Sequence, residues 1–507
     1  MASKIRKVLV ANRGEIALRV MRALREMEVP SVAVYSDADR EASHVFFADE
    51  AVNIGPAPSA ESYLNIERII EAARKSGADA VHPGYGFLSE NPAFARALRD
   101  EGLTFVGPSP EAMETMGNKL SARARMIETG VRVIPGGDGP VSETGEAARL
   151  AKEIGYPVML KAASGGGGKG MRVVRSEEEL EAALRDTRDE AESAFADPSV
   201  FLEKYIDSPR HVEIQVLADR HGNCVHLGER ECSIQRRHQK VVEESPSPIV
   251  DASMRTDMAE MAIRVAQACE YEGAGTVEFI VDSNREFYFL EMNTRLQVEH
   301  PVTELTWNVD LVKLQFLIAC GETLPFAQAD LSSRGWAMEF RIYAEDPSRD
   351  FLPSTGKILR LREPVGPGIR HDSGIYEKYE IPVYYDPLLS KLVIYGESRE
   401  EVIQRARRAF SEFSIGGVKT NIPFHQWLLE QKDYAEANFD THFIDRHFDS
   451  SKLDCDPELP FVAMLAATLA YDRHSRRLNL GSPAEFSSGS RWKQAARRQA
   501  VMRRRQG

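Results

Sequence analysis

The stretch GTVEFIVDSNREFYFLEMNTRLQVEHPVTE, residues 275–304, leaves little choice of local fold. Two apolar runs of strand length flank a polar turn, the pattern of a β-hairpin. Turning at Asn284 and Arg285, the hairpin pairs residues whose numbers sum to 569: Asp282 with Phe287, Ile280 with Phe289, Glu278 with Glu291. Two acids directly opposed repel unless positive charge lies near them. Alternation puts Glu278 and Glu291 on one face, with Asn293, Arg295 and Glu299 joining it if the strand runs on extended. Two carboxylates and an amide oxygen are hard ligands suited to Mg²⁺ shared with substrate phosphates. A register slip, leaving these as solvent-facing polar positions, is the alternative; the polar TRLQVEH straight after FYFL weighs against it.

A second feature supplies the phosphates. The strand YPVMLK, ending at Lys161, runs into AASGGGGKGM, residues 162–171. Gly165, Gly166, Gly167 and Gly168 leave backbone N–H groups uncovered, and Lys169 adds charge, a combination suited to polyphosphate. Gly170 follows that lysine where a Walker A loop needs Ser or Thr, so the segment reads as a flap closing over nucleotide and not as a P-loop. A ligand-free surface loop is the competing reading. Lys119 stands at a helix start, an unfavourable end of the helix dipole unless an anion is near. Glu203, Lys204, Tyr205 and Ile206 end a strand that offers main-chain groups to adenine and a carboxylate to ribose. The run ERECSIQRRHQKVVEESP brings Arg236, Arg237, His238 and Lys240 together; anion binding and a plain charged loop stay open, with Glu243 and Glu244 as internal competitors. Arg341 offers a guanidinium where an anionic intermediate could form.

The rest of the chain frames these features. At 507 residues two to four structural units are expected. The first 115 residues alternate short apolar strands with amphipathic helices, the pattern of an open, largely parallel α/β sheet. Asn12-Arg13-Gly14-Glu15 after the first strand lacks GxGxxG, which disfavours an NAD site. Residues 116–335 hold both site features, with a lid at about 133–205; residues 336–446 mix strands and helix. The α/β and α+β classes are thus both expected. Residues 447–507 read as an extra helical and basic tail, with a helix at 460–471 and seven Lys or Arg and no acid in SRWKQAARRQAVMRRRQG. A solvated tail is one reading of it, a docking segment for an acidic partner the other, with RNA a lesser possibility. A net charge of -13 argues against a dedicated nucleic-acid binder. No run reaches the ~20 apolar residues of a membrane span. The five cysteines form no CxxC pair and the start shows no export segment, so the cytoplasm is expected.

Taken together, these segments resemble biotin carboxylase: KVLVANRGEIALRV at the start, HPGYGFLSEN at 82–91, SGGGGKGM at 164–171 and RHVEIQVLAD at 210–219. So do ERECSIQRRHQKVVEE at 229–244, EMNTRLQVEHPVTE at 291–304, RIYAED at 341–346 and YYDPLLSKL at 384–392. The likeness covers roughly residues 4–446 and is more specific than the ATP-grasp superfamily. It implies an N-terminal open-sheet domain, ATP-grasp central domains with a mobile lid, a C-terminal mixed domain and a homodimer. Carried over by position, it implies ATP contacts at Lys119, Lys161, Gly165–Gly168, Glu203 and His211, with His238 and Lys240 also near the nucleotide. It implies Mg²⁺ or Mn²⁺ at Glu278, Glu291 and Asn293, and bicarbonate at Arg295, Gln297, Val298 and Glu299. Arg341 would lie beside the biotin ureido group. Asn118 departs from the family, where Asp is common. The implied chemistry is attack of bicarbonate on the ATP γ-phosphate, then transfer of the carboxyl group from carboxyphosphate to biotin. Glu299, held by Arg295, is the expected base and needs a modestly raised pKa or a falling barrier; Lys240 and Arg341 complete the catalytic set. With no AMKM-like segment, biotin is expected on a separate carrier protein, with a carboxyltransferase subunit finishing the reaction. The biotin carboxylase component of a pyruvate carboxylase, another ATP-grasp ligase and a nonenzymatic nucleotide-binding scaffold are the alternatives; the final acceptor is not legible.

Overall fold

Alternate residues of the first strand feed two different cores. In a computed structural model, which describes residues 5–137, 139–141, 143–163, 170–195, 197–453 and 464–473, β1 is Val8–Val10. Val8 and Val10 pack with Ile16, Val20 and Leu24, while Leu9 packs with Val32, Val34 and Ile69 on the other side. A strand buried on both faces belongs inside a parallel sheet covered by helices. β2 (Ser31–Tyr35), β3 (Glu50–Asn53), β4 (Ala80–His82) and β5 (Thr104–Phe105) complete that sheet in the order β3-β2-β1-β4-β5, with the pairs all parallel. Helix α1 (Gly14–Glu26) follows β1. α2 (Ile66–Ser76) starts where Asn65 accepts from Arg68 N–H and ends on Gly77 in the left-handed region at φ 67°, as the sequence predicts.

Helix α3 (Lys119–Glu128) begins at the lysine read as a helix start. Its N-cap is Asn118, whose side-chain oxygen accepts from Ser121 N–H, so the family departure at this position is a capping residue. Next comes a small antiparallel sheet, β7-β6-β8, of β6 (Val158–Ala162), β7 (Met171–Val174) and β8 (Val200–Lys204). Helices α4 (Thr144–Ile154) and α5 (Glu177–Phe195) close over it around Val158, Leu160, Val174, Leu180, Leu184 and Leu202. This segment therefore has a core of its own. Gly165 to Gly168 lie outside the described residues.

An eight-stranded antiparallel sheet spans residues 210–396. Its strands are β9 (Arg210–Ala218), β10 (Cys224–Arg236), β11 (Gln239–Ser245), β12 (Gly273–Val281), β13 (Phe287–Asn293), β14 (Trp336–Tyr343), β15 (Ile369–Ser373) and β16 (Leu388–Gly396). They lie in the order β13-β12-β9-β10-β11-β14-β16-β15, so one sheet runs through both the 116–335 and the 336–446 segments. Helix α6 (Ala252–Ala268) covers Val212, Ile214, Val216, Val277 and Phe279 on one face. On the other face of β9 stand His211, Glu213 and Gln215, and these are buried too. A polar stripe with no water over it must be satisfied from within.

Two irregularities shape that stripe. The hairpin pairs Glu278 with Glu291 and Thr276 with Asn293, as expected, but the register shifts between Glu278 and Phe279. Beyond the bulge Phe279 faces Phe289 and Val281 faces Phe287, so the expected pairings of Ile280 with Phe289 and Asp282 with Phe287 do not form. Asp282 instead caps the turn, its Oδ1 accepting from the N–H groups of Asn284 and Glu286. An extra residue on one strand, invisible to alternation counting, is the cause. In β10 the register shifts between His226 and Glu229, bringing Arg230 opposite Glu213.

Contacts gather Met1–Ser450 into one compact unit and Ser451–Gly507 into another. In the second, residues 464–473 are helical, overlapping the span read as a helix, and Met464, Leu465, Leu469 and Tyr471 are exposed; the basic end lies outside the described residues. Among the described residues no helix is long and apolar enough to cross a membrane. The β10 bulge carries a prediction. Gly228 sits at φ 65°, and a Cβ there would meet Trp307 Cζ2 at 2.9 Å. Gly228→Ala should cost about 1–3 kcal/mol, read as a lower denaturant midpoint; an unchanged midpoint would show that the bulge tolerates a side chain.

Candidate active site

Glu213 is wholly buried between two cations, and the site grows outward from it. Arg230, also fully buried, donates to Glu213 Oε1 (2.5 Å), Gln215 Oε1 (2.6 Å), Thr276 Oγ1 (2.9 Å) and Thr303 Oγ1 (2.9 Å). That leaves Glu213 Oε2 for the Lys240 ammonium at 2.5 Å. Lys240 reaches two further carboxylates, Glu278 Oε1 and Glu299 Oε1, both at 2.8 Å. One ammonium with three donors thus meets three acids from β9, β12 and the N-terminus of helix α7 (His300–Trp307). Burial disfavours the charged lysine, but the three carboxylates outweigh it and hold its pKa well above the ordinary value.

Glu299 is the N-cap residue of α7 and is fully buried. Its second oxygen accepts from Arg341 Nη2 at 3.0 Å. Burial pushes its pKa up; Lys240, Arg341 and Arg230 together pull it well below the usual carboxylate range. The expected holder of this residue needs correction, and of the two conditions expected for it to act as a base the raised pKa is not met, which leaves the falling barrier. It is held by Lys240 and Arg341, not by Arg295, and its pKa moves down, because two cations touch it. Arg295 instead donates to Glu90 Oε2 (2.9 Å), Gln297 Oε1 (2.9 Å) and Asn293 Oδ1 (3.0 Å).

Glu278 collects the remaining amides. Its Oε1 accepts from Asn293 Nδ2 at 2.9 Å and Gln297 Nε2 at 3.3 Å, and its Oε2 lies 3.0 Å from His211 Nε2. Burial disfavours its charge, yet Lys240 and His211 hold it far below the ordinary carboxylate value. His211 responds in kind: burial lowers its pKa, Glu278 raises it, and the net direction is up. Positive charge therefore stabilises one acid of the opposed pair. Glu278 and Glu291 are cross-strand partners, with Asn293 two residues further along β13, and all three side chains offer hard oxygen donors of the kind that divalent cations take. Ligand atoms of His211, Glu213 and Glu278 also come within 4.8 Å of one another.

The nucleotide candidates gather around the small sheet. Lys161 pairs with Glu203, both largely buried. Lys204 Nζ donates to Gly155 O (2.8 Å) and Tyr156 O (3.2 Å), Tyr205 Oη is 3.4 Å from His442 Nε2, and Ile206 follows in the chain. His238 sits at φ 64° in the turn between β10 and β11; burial, reinforced by His442 and Lys161, lowers its pKa. The basic run divides. Arg236 turns to Glu345 (3.1 Å) and Arg237 to Asp350 (2.6 Å), away from Lys240. Glu243 takes Arg341 Nε at 2.6 Å, whereas Glu244 faces Trp336 and Arg399. Val298 contributes its carbonyl, which accepts from Lys391 Nζ at 2.7 Å.

Several residues escaped the sequence reading. Glu213 and Gln215 share a period-two face with His211, which was the available signal. Glu90, the partner of Arg295, and Tyr85, which donates to Glu15, both lie in HPGYGFLSEN. Lys391, fully buried in YYDPLLSKL, lies 3.3 Å from Glu15 Oε1. Their partners are distant in sequence, so no local pattern marks them.

Family models match three successive parts of the chain. Residues 4–113 match the biotin carboxylase N-terminal domain, 118–327 the carbamoyl-phosphate synthase L chain ATP-binding domain, and 339–446 the biotin carboxylase C-terminal domain. The chain is 52% identical over 444 residues to biotin carboxylase 1 of Bacillus subtilis, covering 87% of this chain and 99% of that one. A pyruvate carboxylase subunit of Methanothermobacter thermautotrophicus is 54% identical over 442 residues, covering 87% and 90%. A Campylobacter jejuni biotin carboxylase, solved as a β,γ-ATP complex, is 48% identical with a TM-score of 0.85, covering 88% of this chain and 99% of the other. The biotin carboxylase domain dimer of Hydrogenobacter thermophilus 2-oxoglutarate carboxylase, solved with MgADP, ADP and bicarbonate, is 46% identical with a TM-score of 0.83, covering 88% and 98%. Three matched domains in this order, together with relatives near half identity over almost their full length, place the chain in the biotin carboxylase family.

Proposed function

We propose that the buried face of the eight-stranded sheet carries out the ATP- and bicarbonate-dependent carboxylation of biotin characteristic of this family, with each residue acting from the position described. The observation that carries the reading is Glu299, enclosed and gripped at one oxygen by Lys240 and at the other by Arg341. Lys119, Lys161, His238 and the glycine segment 165–168 bind the ATP phosphates and base, with Glu203 to Ile206 lining the adenosine. Glu278, Glu291 and Asn293 would hold Mg²⁺ or Mn²⁺, which neutralises phosphoryl charge when bound. Arg295, Gln297 and Val298 orient bicarbonate, and Glu299 takes its proton.

A carboxylate held below its ordinary range is a weak base at rest. Its basicity rises when Lys240 and Arg341 share their charge with incoming anions, since each is then less available to Glu299. Lys240 serves the transferring phosphoryl oxygens; Arg341 serves the ureido oxygen of biotin as its nitrogen becomes nucleophilic. Burial of all three groups excludes water, which protects carboxyphosphate from hydrolysis. We further propose that biotin arrives on a separate carrier protein in the cytoplasm, that a carboxyltransferase subunit completes the transfer, and that the chain works as a homodimer. Likeness both to a 2-oxoglutarate carboxylase domain and to a pyruvate carboxylase subunit supports a half-reaction common to several acceptors.

Two measurements test these roles. Glu299→Gln should lower biotin-dependent ADP release by about 10²-fold or more, with the KM for ATP little changed. An unaltered rate would remove Glu299 as the base. Glu291→Gln should raise the Mg²⁺ concentration for half-maximal activity by about tenfold or more, and an unshifted Mg²⁺ titration would take that residue out of the metal site.

A further inference from the structure

Glu339 is a wholly buried acid with no part in the scheme above. It lies on β14, two residues before Arg341 and on the same face, directly opposite Glu243 on β11. Neither of its oxygens has a hydrogen-bond partner among the described residues, and neither has the second oxygen of Glu243. A desolvated carboxyl costs several kcal/mol more than an apolar side chain of its size, so packing alone does not account for it. Two acids in direct cross-strand register do not both ionise cheaply. Burial raises the pKa of each, Glu243 to about 7 and Glu339 well above its ordinary value. Glu243 is engaged by the Arg341 guanidinium at 2.6 Å; no cation bonds Glu339 among the described residues, and burial outweighs the pull of Lys391, opposite Arg341 on β16, and of Arg341 itself.

We propose that Glu339 is a positioning residue for Arg341, acting as a neutral carboxylic acid that supplies a donor toward the free oxygen of Glu243 without adding a second negative charge. An ionised Glu339 would draw the guanidinium into the sheet, away from Glu299. An apolar residue would leave the free Glu243 oxygen without a donor and let that carboxylate rotate, taking Arg341 Nε with it. Only a neutral, hydrogen-bonding side chain keeps the guanidinium divided between Glu243 and Glu299 and turned toward the ureido oxygen. This rests on the role given to Arg341 above.

The test uses the full chain, with free biotin as acceptor, and follows ADP release with and without biotin. Glu339→Gln, neutral and able to donate, should keep the biotin-dependent kcat within about threefold of the unaltered protein. Glu339→Leu should lower that kcat by about 10- to 100-fold, the scale of a small misplacement of a reacting group. Its KM for ATP and its biotin-independent ADP release should stay within about threefold, which shows that the variant is folded and binds nucleotide. A Leu variant with full biotin-dependent kcat, a Gln variant impaired as deeply as the Leu variant, or equal losses with and without biotin would each overturn the proposal. Arg341→Met keeps the two failures apart: if that variant retains biotin stimulation, the Arg341 reading itself falls, whatever Glu339 does.

Discussion

The Lys240 ammonium, clasped by Glu213, Glu278 and Glu299, is the interaction on which the site depends. Each of these carboxylates is buried and would be intolerable alone. Their bonds to one lysine, with Arg230, His211 and Arg341 completing the shells, make the cluster self-consistent. The cluster also links four separate pieces of chain, namely β9, β11, β12 and the start of α7. It has no local solution; it exists only when the eight-stranded sheet is assembled with its register set by the bulges of β10 and the β12–β13 hairpin.

Such a cluster stores a charge distribution ready for phosphoryl transfer. Under the proposed roles, a divalent cation and anionic substrates entering this face would exchange one set of counter-charges for another. Lys240 can follow either a carboxylate or a phosphoryl oxygen, because an ammonium on a flexible stem has no preferred plane. Arg341 is different: its planar fork is fixed on one edge by Glu243, so its direction is set in advance. The proposed division of labour follows from side-chain chemistry, with the adaptable cation for the transferring phosphoryl group and the rigid one for an acceptor that must be aligned.

Much of this was legible before any coordinates. The open parallel sheet follows from the βαβ alternation of the first 115 residues, and Gly77 marks the end of its helix because only a left-handed C-cap fits there. The opposition of Glu278 and Glu291 follows from counting back from the turn. The same count failed nearer the turn, since a bulge changes parity without changing composition. The holder of Glu299 was misassigned for a related reason. Arg295 is close in sequence and easy to nominate, whereas Lys240 and Arg341 lie on other strands and are brought to Glu299 by sheet order alone. Long-range charge pairing is a property of topology, and no spacing rule within one segment encodes it.

The polar face of β9 shows how far alternation can mislead about environment. His211, Glu213 and Gln215 alternate with Val212, Ile214 and Val216, the signature of a half-exposed strand, yet both faces are buried. The difference lies in what covers the polar side: charged partners from β10, β11 and β12, and helix α7. A polar stripe that has lost its water cannot relax by turning outward, so a change at one member must be answered by another. Glu243 and Glu339 stand further along the same face, where Arg341 serves Glu243 and the nearest buried lysine, Lys391 on β16, lies against Glu15. The order along the sheet runs from lysine-clasped acids, through an arginine shared by Glu243 and Glu299, to an acid without a hydrogen-bond partner among the described residues. Arg341 is the member most sensitive to such a change, because a side chain poised between two acids can least afford a third.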